Sequence, residues 1–273
     1  MKSVRFAILH HGYIEGDQAW SLALPVTGDI NEKHPTTKWV RNPSFSVLID
    51  HPDVGYILYD TGSTPGDEKE RRPADARRLL PIFAQRDEFL DAQLSKIGIT
   101  PSDISLVIVS HMHSDHCGGL LFFSNTKAGR KIYVGKKEFE FGLVETHRSC
   151  TESNLAYIKE DFEFPGLSFN LVEEDETITS GVDIIQLEGH TPCILGLVLK
   201  LNSGCYIFPS DAVYSAANYG PPMRFPGYIY DTLGYVRSVK RLHSLQESLH
   251  AKIIFPHDPI QYEDLKRAPF FYD

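Results

Sequence analysis

Ser110-His111-Met112-His113-Ser114-Asp115-His116-Cys117-Gly118-Gly119 packs three histidines and an aspartate into six positions, directly after the apolar run Ile104-Ser105-Leu106-Val107-Ile108-Val109. That run is short, rich in β-branched residues and bounded by polar ones, the pattern of a buried strand. Imidazole and carboxylate are the usual nitrogen and oxygen ligands of zinc. In an extended turn His111 and His113 point to one side and can share one cation. Asp115 and His116 lie beyond the bend and can reach a second. Chance alone produces this four-residue pattern in such a chain with a probability of roughly 10⁻³.

Three further runs end in the same way. Val182-Asp183-Ile184-Ile185-Gln186-Leu187 leads to His190 in Gly189-His190-Thr191-Pro192. Cys205-Tyr206-Ile207-Phe208-Pro209 leads to Asp211, and Ala251-Lys252-Ile253-Ile254-Phe255-Pro256 to His257. One apolar run closing on a ligand-type residue means little, but four of them predict that the strand ends converge on one rim.

The set resembles the metallo-β-lactamase superfamily: H-x-H-x-D-H at 111–116, Gly-His-Thr-Pro, Ser210-Asp211-Ala212 and a final His257, with Asp60-Thr61-Gly62 also in place. The likeness runs from about residue 4 to about residue 260. Within that superfamily it is nearest to the N-acyl-homoserine lactone lactonases, on Asp115-His116-Cys117-Gly118-Gly119 and on Asp211-Ala212-Val213-Tyr214. The resemblance implies an α+β fold, a four-layer αβ/βα sandwich of two packed mixed sheets flanked by helices. It would form a single domain over 1–273, with halves of about 1–165 and 166–273.

The resemblance also implies two divalent metal ions, Zn first, with Mn, Co or Fe accepted by the same donors. His111, His113 and His190 would hold one, and Asp115, His116 and His257 the other, bridged by Asp211. Two ions about 3.5–4 Å apart share one water and bring its pKa toward neutrality, so a metal-bridging hydroxide is the expected nucleophile. The expected reaction is the opening of a lactone ring, with Tyr214 donating to the oxyanion and Asp115 supplying a proton to the leaving alkoxide. The chain has no G-x-S-x-G, consistent with a reaction that needs no serine nucleophile. Other readings are an ester, thioester or phosphodiester hydrolase of the same superfamily, and a non-catalytic metal-binding sensor. Only sixteen residues follow His257, which disfavours a branch with a helical C-terminal extension. Two departures are Cys193-Ile194, where the family usually has Gly-His, and Leu120, where many lactonases have Asn.

The resemblance implies a small-molecule lactone or ester as partner, and composition argues against others. The net charge of −9 over 273 residues argues against a nucleic-acid surface. No apolar run approaches membrane-spanning length, and the N-terminus lacks the apolar core and cleavage site of a signal peptide. Cys117, Cys150, Cys193 and Cys205 are dispersed, which fits a reduced, cytoplasmic protein. A monomer or a homodimer is expected.

The first strand is expected over residues 4–10, with His10 and His11 as surface or supporting residues rather than ligands. Residues 12–43 read as a long connection, and 64–88 as a charged, proline-rich surface excursion. Phe45–Ile49 and Tyr56–Tyr59 read as a hairpin, with Asp60 placed to support a ligand. A helix is expected at about 85–97, another over 136–144, and a third over about 232–250. Residues 145–165 would bridge the halves, and strands are expected from Leu167 onward. Trp20 and Leu22 in the long connection, and Phe225 and Tyr228 in the aromatic 214–231 segment, either line a substrate pocket or pack on the core.

Overall fold

Phe6 and Ile8 face one way along the first strand and Leu9 the other, and both faces are buried. The same split recurs at Val47 and Ile49 against Leu48, and at Ile57 and Tyr59 against Leu58. In the second half Leu197 and Leu199 oppose Val198. A strand alternates its side chains across the sheet. Apolar residues on both faces therefore demand cover on both, and the result is four layers.

The computed structural model describes residues 3–65, 71–148 and 156–273. The strands are β1 (Arg5–Asp17), β2 (Trp39–His51), β3 (Gly55–Tyr59), β4 (Ile82–Phe83), β5 (Ile104–Ile108) and β6 (Ile132–Gly135), then β7 (Phe169–Val172), β8 (Glu176–Thr179), β9 (Val182–Leu187), β10 (Ile194–Leu201), β11 (Gly204–Phe208) and β12 (Lys252–Ile253). One sheet runs β4-β1-β2-β3-β5-β6-β7 and the other β12-β11-β10-β9-β8. Both are mixed: β3, β5, β6 and β7 are parallel in the first, and β11 and β12 in the second. Between them lies a core of Phe6, Ile8, Ile49, Ile57, Leu195 and Phe208 with their neighbours. The helix Leu90–Ser95 covers the outer face of the first sheet through Leu90 and Leu94. The helix Thr232–Leu249 covers the second through Tyr235, Val239 and Leu242. The expected sandwich is the fold observed.

Because both faces of the central strands are apolar, hydrophobicity alone does not set their register. The turn after β2 does so: Gly55 takes φ 85° and pairs with His51, which aligns Val47 with Tyr59.

Several boundaries differ from the sequence reading. β1 continues to Asp17 and pairs with β2 back to Trp39, so the connection is far shorter than 12–43. A register shift between His10 and Tyr13 hides the continuity. Gly12 sits there at φ 84°, where a Cβ would meet the Phe83 carbonyl at 2.1 Å. The 64–88 stretch is not wholly a surface feature, since Arg72, Ala76 and Ile82 are buried and β4 adds an edge strand beside β1. The helix at 85–97 is a 3₁₀ turn, Arg86–Glu88, followed by Leu90–Ser95. The sheet changes after Val172 rather than near 165, because β7 pairs parallel with β6. The helix Lys136–His147 exceeds its expected end. Part of the 145–165 bridge, with Cys150, lies outside the described residues. Among the described residues no helix is long and apolar enough to cross a membrane.

Candidate metal centre

The ends of β3, β5, β9, β11 and β12 meet at one rim and deliver Asp60, the 110–116 loop, His190, Asp211 and His257. After β5 the chain bends at Ser110 and Met112, is extended at His113, at ψ 148°, and there bends again into the short helix Ser114–Cys117. That bend separates the two pairs: His111 and His113 look toward His190, and Asp115 and His116 toward His257. Gly118 and Gly119 are required by close approach. A Cβ on Gly119 would stand 2.3 Å from the Thr61 carbonyl, and one on Gly118 2.6 Å from the Thr64 nitrogen.

Two groups of donors result, His111, His113, His190 and Asp211, and Asp115, His116, Asp211 and His257, each with its ligand-type atoms within 4.8 Å of one another. Asp211 belongs to both. Its Oδ1 lies 3.0 Å from His257 Nε2 and 3.3 Å from His116 Nε2, and its Oδ2 3.4 Å from His190 Nε2 and 3.8 Å from His111 Nε2. His113 Nδ1 is 3.0 Å from His190 Nε2, and Asp115 Oδ2 is 3.1 Å from His116 Nε2. Ligands at about 2.0–2.2 Å around a tetrahedral ion stand about 3.3 Å apart, so these spacings fit one ion per group. Among the described residues His111 Nε2, His116 Nε2 and Asp211 Oδ1 are buried with no hydrogen-bond partner. Buried polar atoms are rarely left so. Their convergence marks a dimetal-binding His/Asp cluster.

The electrostatics of the two groups differ. Burial pushes the His111 and His113 imidazoles well below their usual range and His190 down to about 4, so all three are neutral donors. Burial would also lower His116, yet the carboxylates of Asp115, Asp211 and Asp60 raise it well above the ordinary value. Burial opposes ionisation of Asp211, but His257 and His116 hold it well below the carboxylate range. Asp211, buried and charged, requires nearby positive charge, which a bound cation would supply in place of the charged imidazoles.

The surrounding shell orients the donors. Asp60 accepts from the Ser110 amide at 2.7 Å and hydroxyl at 2.8 Å, and its Oδ2 meets His116 Nδ1 at 2.9 Å. It therefore supports a ligand and a loop amide, as the sequence suggested. Ser110 Oγ lies 3.0 Å from His111 Nδ1 and accepts from Ser210 Oγ at 2.8 Å. His257 Nδ1 faces the Pro43 carbonyl at 2.8 Å. Asp60 and Ser210 both sit in the left-handed region, at φ 60° and 48°. Such positions cost on the order of 1–3 kcal/mol each and cluster at functional sites; here hydrogen bonds to Ser110 hold both. His10 and His11 belong elsewhere, bound to Glu88, Tyr262 and Ser46.

Tyr214 Oη stands 2.9 Å from His190 Nδ1, and the Tyr214 carbonyl accepts the His257 amide at 3.1 Å. Burial raises the Tyr214 pKa well above its usual value, so the phenol stays protonated. Above the donors opens a cleft with Asp115 and Tyr214 at its floor. Trp20 and Tyr228 line it, and the Gly227 and Tyr228 amides both donate to the Trp20 carbonyl. Leu22 and Phe225 are not in the lining: Leu22 is buried beside it, and Phe225 packs on Tyr235 while its carbonyl accepts the Ala23 amide. Ile14, Leu80 and Ile82 complete the apolar wall instead.

The metallo-beta-lactamase superfamily profile matches residues 39–255. This chain belongs to the metallo-beta-lactamase superfamily. Across 97% of its length it is 32% identical to the N-acyl homoserine lactonase AiiB of Agrobacterium fabrum, covering 98% of that protein. It is 30% identical to the N-acyl homoserine lactonase AiiA of Bacillus thuringiensis subsp. kurstaki, over 88% of this chain and 91% of the relative. Among solved structures, a quorum-quenching N-acyl homoserine lactone hydrolase superposes with a TM-score of 0.80 at 25% identity, covering 100% of this chain and 99% of that one. The departures at Cys193-Ile194 and Leu120 are apolar fillings: Cys193, Ile194 and Leu120 are all buried in core clusters, with Cys193 packed against Gly135.

Proposed function

We propose that this chain is a dinuclear metal-dependent hydrolase that opens the ring of N-acyl homoserine lactones. The observation that carries the reading is the paired donor group, joined by Asp211, at the floor of an apolar-walled cleft beside a protonated Tyr214. His111, His113, His190 and Asp211 would hold one ion, and Asp115, His116, His257 and Asp211 the other. Zn is the first choice for these donors, with Mn, Co or Fe compatible. When bound, such a pair activates a shared solvent molecule at neutral pH and withdraws charge from a carbonyl.

The chain's own groups do the rest. With His190 Nε2 turned toward the other donors, Nδ1 carries the proton and donates to the Tyr214 oxygen. The phenolic O–H is then free to donate to the lactone carbonyl oxygen as it becomes anionic. Asp115, ionised and at the cleft floor, takes the proton released by the attacking water and passes it to the ring oxygen as the acyl C–O bond breaks. The products are a carboxylate and an alcohol on one molecule. Trp20 and Tyr228 form the wall along which the acyl chain would lie. The chain would act as one domain, as a monomer or homodimer. The free cysteines Cys117, Cys193 and Cys205 suit a cytoplasmic location.

Acid release followed by pH-stat, with acyl homoserine lactones, a thioester and a phosphodiester offered in parallel, tests the reading. The lactones are expected to lead in kcat/KM by on the order of 10²-fold. A preference for the thioester or phosphodiester would place the chain in another branch of the superfamily.

A further inference from the structure

Glu138 is fully buried in the helix Lys136–His147, on the side of the centre away from the cleft. Its Oε1 accepts the Met112 amide at 2.9 Å and the Tyr157 hydroxyl at 2.9 Å. Met112 stands between His111 and His113, and the Tyr157 ring packs edge-on against His113 with centroids 4.6 Å apart. The same carboxylate lies near the Thr191 hydroxyl and the Cys193 amide, which follow His190, while its Oε2 and the Thr191 hydroxyl are buried without a hydrogen-bond partner among the described residues. One side chain thus spans both loops that carry the three histidines of one donor group. It touches neither Asp115, His116 nor His257 by any hydrogen bond, and the reaction outlined above gives it no task.

We propose that Glu138 is a positioning residue for the His111, His113, His190 and Asp211 group alone, tying the 110–113 loop to the 190–193 loop so that three imidazoles converge. Burying a carboxylate is costly unless it is bonded. Its place beneath the 110–113 loop, where it accepts from both the Met112 amide and the Tyr157 hydroxyl, points to this role. The inference rests on the dimetal reading and is separable from it.

The test is metal affinity, read by competition with a chromophoric chelator, together with the visible spectrum of the cobalt-loaded protein. Glu138→Ala is expected to raise one of the two dissociation constants by about 10–100-fold, to alter the cobalt bands of that site, and to leave the other constant nearly unchanged. Glu138→Gln keeps an acceptor for the Met112 amide and the Tyr157 hydroxyl, and is expected to restore most of the loss. Should Glu138→Ala not fold, Tyr157→Phe carries the test, with a loss of about fivefold at the same site from one missing hydrogen bond. Equal loosening of both sites, unchanged affinities with only a lower Tm, or Gln no better than Ala would overturn the proposal. A wild-type protein that takes up no transition metal would instead overturn the dimetal reading itself.

Discussion

Asp211→Asn is expected to lower kcat/KM by about 10³-fold or more and to reduce bound metal from two ions per chain toward one. The substitution keeps the shape of the side chain and replaces one anionic oxygen by an NH₂ group, which cannot ligate a cation. Asp211 is the single residue common to both donor groups, with Oδ1 directed at His116 and His257 and Oδ2 at His111 and His190. A carboxylate able to serve both groups thus becomes a one-sided amide. Activation and charge withdrawal by a metal pair contribute several kcal/mol to the barrier, and each 1.36 kcal/mol is tenfold in rate. Metal content and kinetics should be measured on the same preparation. Two tightly bound ions and a rate within tenfold of wild type would show that Asp211 does not bridge.

Tyr214→Phe is expected to lower kcat by about 10²–10³-fold, the usual effect of removing one oxyanion donor, with KM little changed. The phenol makes one contact with a ligand, at His190 Nδ1, so an alternative is that it merely steadies that imidazole. Metal affinity separates the two roles. If donation to the reacting carbonyl dominates, the variant keeps both ions while the rate falls. If support of His190 dominates, an ion is lost and added metal recovers the rate. A variant with normal metal content and normal kcat would remove Tyr214 from the chemistry.

The donor groups were legible in the chain because the 111–116 run, His190, Asp211 and His257 each follow the end of an apolar strand. A strand buried on both faces announces itself by composition, and the first polar residue beyond it must lie at the rim. Asp60 was legible for the same reason. The cleft wall was not. Ile14 lies past the register shift at His10 and Tyr13, where the apolar pattern stops in the sequence but the strand continues in space. Leu80 and Ile82 sit among arginines and prolines that mimic a surface segment, and only the pairing of Ile82 with Ile14 turns them inward. Leu22 and Phe225 have the residue types of a pocket lining, but Leu22 is buried outside it and Phe225 stays partly exposed against Tyr235, where its carbonyl accepts the Ala23 amide. Glu138 sits in Lys136-Lys137-Glu138-Phe139-Glu140, which reads as a solvated helix face. Only the tertiary contact with Met112 and Tyr157 shows that one of these charges is buried. Local pattern thus identifies chemistry fixed by single residues at strand ends, and misses surfaces assembled from distant, chemically ordinary ones.

Counting transition metal per chain in the folded protein by mass spectrometry, before and after chelation, while following lactone ring opening in the same samples, is the most direct measurement. Two equivalents are expected, with activity lost as they are stripped and regained as a divalent ion is returned. A fully folded protein that carries no such metal, binds none when offered, and opens no lactone in its presence would contradict the assignment of these seven residues to a pair of cations.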